Sequence, residues 1–236
     1  MKKRLCCFIL AFILIAICQA GCGKKDNGMK KVVLNEVAHS IFYAPQYVAI
    51  EMGYFKDAGI DLVLETGFGA DKTMTALISG NADIGFMGSE STIYAYAEGS
   101  KDYAVNFAGL TQRAGNFLVA REKIDNFSWD MVKGKNVLGG RKGGMPQMVL
   151  EYILKANNID PASDLSIDQS VDFGLTAGAF SGNTEYDFTV EFEPGATSLE
   201  KEGKGYVVAS LGVDSGYVPY TAYSAKKSYI EKNPEI

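Results

Sequence analysis

"ADKTMTALISGNADIGFMGSES", residues 70–91, is the stretch that decides the fold. Met74, Ala76, Leu77 and Ile78 are apolar positions of a helix that Gly80 stops. Residues 82–87 read as a short buried strand, and the chain then turns to Gly88, Ser89, Glu90 and Ser91. Small polar residues where a buried strand leaves the core mark the edge of an open α/β sheet. Ligands there sit beyond the carboxyl ends of the strands, near the free N–H groups of the helices that follow. Small side chains let the backbone come close to a bound group; Ser89 and Ser91 can equally be helix caps and nothing more.

Outward from this stretch, strand and helix patterns alternate. "KVVLNEV" (31–37), "IDLVLE" (60–65), "YAVNFAGLT" (103–111), "NFLVAR" (116–121), "KNVLGG" (135–140) and "YVVASL" (206–211) read as strands. "APQYVAIEMG" (44–53) and "PQMVLEYILKANNI" (146–159) read as helices. That alternation predicts an α/β fold with mostly parallel sheets and flanking helices. Residues 75–99 have an echo at 177–203, "AGAFSGNTEYDFTVEFEPGATSLEKEG". Both contain Ser-Gly-Asn, a strand with an acid and an aromatic, a polar exit, and a close at Glu-Gly. Two similar lobes would account for it, as would chance likeness between two αβα units.

The other strand exits outline a cleft: "AHSIFYAP" (38–45) with His39, "TGFGAD" (66–71), "GLTQRAG" (109–115), "GGRKGGMPQ" (139–147) and "EFEPGAT" (191–197). In the fourth of these, Gly139 and Gly144 have P-loop spacing. Met145 and Pro146 stand where Lys and Ser or Thr are required, so nucleotide hydrolysis is not expected. A flexible turn entering a helix remains, suited to backbone contact with a ligand or to turning alone.

Composition narrows the function. Lys2, Lys3 and Arg4 precede an apolar run over 5–18, followed by Ala20, Gly21 and Cys22; residues 1–21 read as an export signal and 22–30 as a polar tether. Without those three cations, 20 basic residues face 28 acidic ones, a net charge of −8, which disfavours nucleic acid as a partner. All four cysteines, Cys6, Cys7, Cys18 and Cys22, lie in this leader. The body therefore has no thiol for a disulfide, a zinc site or a nucleophile, and it has a single histidine, His39. No catalytic residue, metal or cofactor is expected. His39 is a candidate ligand contact by its position, or a satisfied structural residue.

The leader resembles a bacterial lipoprotein signal with Cys22 as the acylated residue, although Gln19 stands where that motif usually carries leucine; a plain secretory peptide is the alternative. "YAPQYVAIEMGYFKDAGIDLVLETGFGADKTMTALISGNADIGFMGSES" (43–91), with "EFEPGATSLEKEG" and "VPYTAYSAKKSYIEKNPEI", resembles the ABC-transporter solute-binding proteins of the nitrate, sulfonate, taurine and thiamine-precursor type. The resemblance implies a two-lobed type II periplasmic-binding-protein fold with the ligand cleft between lobes. Its expected bounds are lobe 1 at 31–115, lobe 2 at 116–216, and a return to lobe 1 at 217–236 that the chain leaves incomplete. It further implies a small-molecule solute and an ABC permease in the membrane as partner. A pyrimidine-synthesising enzyme branch shares the fold, but this body lacks the cysteine-rich motif and histidine of that branch, which argues against enzymatic activity. A lipid anchor at Cys22 on the extracytoplasmic face, from the leader, and a monomer are expected. By the same resemblance Phe42, Tyr43, Gly69, Ala70, Ser89, Glu90, Gln112, Arg113, Gly143, Gly144, Met145, Glu191 and Glu193 face the cleft. His39 and Ser91 join them by position. Other readings are a solute sensor without transport and an exported enzyme.

The carboxylates Glu90, Glu191 and Glu193 disfavour an anion, which would meet repulsion or force proton uptake. Phe42, Tyr43 and Phe68 can stack on a flat ring whose amino groups a carboxylate accepts. The expected solute is a planar amino-bearing heterocycle such as a pyrimidine precursor of thiamine. An aliphatic sulfonate held by Arg113, Arg141 and helix N-termini stands next. The glutamates can also be helix caps pointing to water.

Overall fold

The structure, a computed structural model, describes residues 28–172 and 174–236; the expected signal peptide and Cys22 lie outside the described residues. The strands are β1 (Lys30–Glu36), β2 (Ile60–Thr66), β3 (Ile84–Gly88), β4 (Ala104–Thr111), β5 (Asn116–Ala120), β6 (Asn136–Leu138), β7 (Ser166–Asp168), β8 (Phe188–Phe192), β9 (Tyr206–Ser210) and β10 (Thr221–Lys226). They form two five-stranded sheets, ordered β2-β1-β3-β10-β4 and β7-β6-β8-β5-β9. The main helices are α1 (Ala44–Glu51), α2 (Ala70–Ser79), α3 (Glu90–Ala97), α4 (Met145–Ala156), α5 (Thr176–Gly182) and α6 (Gly195–Lys201). Residues Lys31–Ile236 make one compact unit.

Local chemistry explains the elements. The helix at 70–79 ends because Gly80 adopts φ +82°, and its N–H returns to the carbonyls of Ala76 and Leu77. Pro146 sits in the first turn of α4, where a missing N–H costs nothing. Val149, Leu150, Ile153 and Leu154 then fall on one face of α4 and are buried with Leu118, Val137, Phe188 and Leu211. In the first sheet Phe86 is fully buried, edge-on to Tyr43 at 4.6 Å and stacked on Tyr223 at 4.5 Å.

The sheets are mixed, where the alternation predicts mostly parallel pairing. β1 runs parallel to β3, and β6 runs parallel to both β7 and β8. β10 is antiparallel to β3 and β4, and β5 is antiparallel to β8 and β9. The cause is the chain path. It leaves the first sheet after β4, enters the second as β5, and returns from β9 to insert β10 into the first. A strand that arrives from the other sheet runs against its neighbours.

The echoed segments occupy matching places. β3 and β8 are each the third strand of their sheet, each between a parallel and an antiparallel neighbour, preceded by α2 or α5 and followed by α3 or α6. We expect Phe86→Ala to lower the free energy of unfolding by about 3–5 kcal/mol, because the cavity would open between two rings of the sheet's own core. Urea titration followed by tyrosine fluorescence measures it, and a loss below about 1 kcal/mol would show that the ring stack is dispensable.

Candidate functional site

A cavity of about 460 Å3 opens between the carboxyl ends of the two sheets, within the ~300–1,000 Å3 common for small-molecule sites. The first sheet supplies Tyr43, Gly69, Ala70, Gly88 and Glu90 to its lining, and the second supplies Gly143, Gly144, Met145, Thr176, Glu191 and Glu193. Tyr220 and Thr221 enter from the returning segment.

Glu90 is the first residue of α3 and is 2% exposed. Its carboxyl folds back over Gly88, where any Cβ would collide with it. That contact is why glycine ends the strand. Neither carboxyl oxygen completes a hydrogen bond of good geometry. Burial pushes this carboxyl up to about 7, against smaller opposing help from its own N–H, the Met145 N–H at the start of α4, and the Ser91 hydroxyl.

Glu191, 3% exposed on β8, is the counterpart from the second sheet. Thr189 donates to Oε1 at 2.7 Å and Thr176 to Oε2 at 2.9 Å, and a Cβ on Gly195 would sit 3.0 Å from Oε2. Burial again dominates and raises this carboxyl to about 7. Two phenols stand nearby. Burial raises Tyr43 to about 12 and raises Tyr220 well above the usual phenol range. Both are neutral; the Tyr43 hydroxyl accepts from the Thr221 hydroxyl at 3.4 Å, and the Tyr220 hydroxyl is buried without a hydrogen-bond partner.

Glu193 lines the cavity but behaves as a cap. Its carboxylate accepts from the Thr197 N–H at 3.1 Å and the Thr197 hydroxyl at 2.9 Å in the first turn of α6. His39 lies at the rim with Nδ1 2.8 Å from Glu36 Oε1. Glu36, fully buried, also accepts from Gln46, Tyr47 and Thr66. His39 is thus held by a structural carboxylate while it contributes to the lining.

Five of the expected cleft residues are not in the lining. Ser89 makes no capping bond; its hydroxyl donates to the Pro219 carbonyl at 2.6 Å and ties α3 to the returning segment. Ser91 is buried beside the Glu90 carboxyl. Phe42 packs behind the wall against Phe192 and Tyr220, at 5.5 and 5.7 Å. Gln112 accepts the Val218 N–H at 3.0 Å. Arg113 donates to the Gly212 carbonyl at 2.8 Å and lies over the Tyr217 ring. Of these five, Gln112 and Arg113 belong to the connection between the sheets and Phe42 to the short helix at Ile41–Tyr43 after β1, and contacts within the chain take up their side chains or backbone.

The sequence also offered Arg141 to an anion, but its guanidinium is engaged. It meets Asp71 through two nitrogens at 2.9 and 3.2 Å and Asp172 at 3.2 Å. Gly69, at φ +150°, leaves room for it where a Cβ would collide. Sequence reasoning missed Thr176 and Tyr220 as cavity residues and Glu36 as the anchor of the rim. An acid ending the β-branched strand "KVVLNE" was the only available signal. Among the described residues no group of three or more His, Cys, Asp or Glu is placed to hold a metal, and no helix is long and apolar enough to cross a membrane.

A cleft at the carboxyl ends of two mixed sheets joined by crossing strands defines the type II periplasmic-binding-protein fold. The chain superposes on the periplasmic aliphatic sulphonate binding protein SsuA of Escherichia coli with a TM-score of 0.67 at 18% identity, over 87% of this chain and 68% of that one. For the periplasmic nitrate-binding protein NrtA of Synechocystis PCC 6803 the TM-score is 0.69 at 18% identity, over 88% and 58%. Residues 41–236 match the family described as NMT1/THI5 like, and the chain belongs to it. It is 50% identical over 224 residues to YtlA of Bacillus subtilis (strain 168), a binding protein by name; the match spans 95% of this chain and 66% of YtlA.

The Glu90 carboxyl goes from 4.5 when exposed to about 7 in the fold, so the native state holds its proton more tightly. Stability is therefore lost as pH rises from 4.5 through 7. Glu90→Gln removes that loss. We expect the variant's advantage over the parent to grow across this window towards roughly 3 kcal/mol and then level off. Urea unfolding at a series of pH values checks it, and a difference that stays constant across the window would reject a raised carboxyl.

Proposed function

We propose that the protein is the extracytoplasmic solute-binding component of an ABC importer. Its solute is a small planar amino-bearing heterocycle, with a pyrimidine precursor of thiamine favoured and an aliphatic sulfonate next. The carrying observation is the cavity between the sheets with a buried carboxyl from each, Glu90 and Glu191. Nitrate or sulfonate would need donors and positive potential, while Arg113 and Arg141 are spent on contacts within the chain. Family membership and the binding-protein name of YtlA support binding over catalysis.

In this reading residues 31–115 with 217–236 and residues 116–216 are two lobes that close over the solute as a monomer, and Cys22 is the lipid anchor. Calorimetry with an aminopyrimidine and with taurine tests the solute: the first should bind and weaken on Glu191→Gln. Tight taurine binding that ignores the substitution would replace the heterocycle with the sulfonate. For the anchor, Cys22→Ala should move the protein from the membrane fraction to the soluble one, since the lipid supplies the hold. Unchanged fractionation would reject acylation at that residue.

Closure also has a marker. Arg141, from the second sheet's side, clasps Asp71 at the start of α2 on the first, across the cavity mouth. Partly exposed ion pairs are worth about 0–1 kcal/mol, so Arg141→Gln should speed amide exchange at residues 67–71 about two- to fivefold in the solute-free protein. Exchange indistinguishable from the parent would mean that the clasp does not hold the mouth.

A further inference from the structure

The charge of the solute can be argued beyond its shape, and the argument rests on the solute-binding reading above. Four acids line the cavity: Asp71, Glu90, Glu191 and Glu193. Asp71 is neutralised by Arg141, and Glu193 is turned onto the first turn of α6. Glu90 and Glu191 remain, both almost fully buried and one from each sheet. The cations in the lining do not answer them. Arg141 is shared between Asp71 and Asp172, and Lys142 is exposed to solvent.

The hydrogen-bond inventory points the same way. A carboxylate offers about four acceptor positions. Thr189 and Thr176 fill one on each oxygen of Glu191, and no well-formed bond fills any on Glu90. Such acceptors are costly to bury unmet. The surrounding wall includes the rings of Tyr43, Phe192 and Tyr220, which can stack on a flat occupant. A neutral ring with one amino group answers the shape and leaves the charge unbalanced. A delocalised cation with N–H groups on an N–C–N edge answers both, because its parallel N–H bonds match the fork of a carboxylate.

We infer that the solute is bound as a planar monocation of the amidinium type, a protonated aminopyrimidine included, gripped between Glu90 of the first sheet and Glu191 of the second. One carboxylate balances its charge. The other keeps a proton, which burial favours at both acids.

Calorimetry on the full chain with benzamidine, benzamide and benzenesulfonate tests this, since the three share a ring and differ in charge. Benzamidine should bind, and benzamide should bind at least about tenfold more weakly. Glu90→Gln and Glu191→Gln should each weaken benzamidine by about tenfold or more and leave benzamide within about twofold. If a variant fails to fold, the benzamidine-to-benzamide ratio on the unaltered chain decides alone. Equal or tighter binding of benzamide overturns the inference, as does binding of benzenesulfonate without benzamidine, or silence towards all three. The solute-binding reading is judged separately by the aminopyrimidine and taurine titrations, so a sulfonate-binding protein would sink the charge assignment and leave that reading standing.

Discussion

Two backbone hydrogen bonds tie together the segments that pass between the two sheets. Val218 donates to the Gln112 carbonyl at 3.0 Å and Tyr220 to the Thr111 carbonyl at 3.1 Å, so the outgoing and returning segments between the sheets run side by side. The Thr221 N–H adds a third bond, to the Thr111 hydroxyl at 2.9 Å. Two glycines beside this junction have no room to spare. A Cβ on Gly115 would enter the Phe42 ring, and one on Gly212 would enter the Ala114 carbonyl. The junction makes half of each sheet antiparallel, and it carries Tyr220 and Thr221 into the cavity wall. Hinge motions of two-lobed proteins are absorbed by a few residues at such connections, so in the closure proposed above the segment that fixes the fold would also be the one that moves.

The two sheets solve the same local problem in the same way. Each places a carboxyl at the exit of its third strand and a glycine where that carboxyl needs room: Gly88 under Glu90, and Gly195 beside Glu191. The environments differ. Glu191 leans on two threonine hydroxyls, whereas Glu90 lies near the N-terminus of α4, which has no side-chain cap of its own. Burial wins at both sites, so the cavity floor can exchange protons near neutrality instead of carrying two fixed charges.

At the mouth the balance is reversed. Arg141 is partly exposed and meets Asp71 and Asp172, both still more exposed, so solvent weakens each attraction. A weak clasp is compatible with the proposed closure, in which the mouth would have to release as well as close. The loop it grips carries Phe68 at φ +56°, an uncommon backbone state for an aromatic residue, beside Gly69 at φ +150°. Strained backbone of this kind gathers at ligand clamps and switch regions.

Much of this was legible in the residues themselves. The resemblance to the solute-binding family singled out Tyr43, Gly69, Glu90, Met145 and Glu191, which line the cavity, while periodicity located the strands and helices and Gly80 and Pro146 marked helix ends. These signals are local: side-chain spacing and backbone preference act within a few residues. The antiparallel half of each sheet was not legible, because strand direction depends on which sheet the chain enters next. Nor was the withdrawal of Ser89, Gln112 and Arg113, whose partners at Pro219, Val218 and Gly212 are about a hundred or more residues away. The sequence by itself determined that acids and glycines stand at the strand exits. Only the tertiary structure decided that Glu90 and Glu191 are buried with unspent acceptors while Glu193 and Arg141 are satisfied, because desolvation and long-range pairing exist only once the two sheets meet.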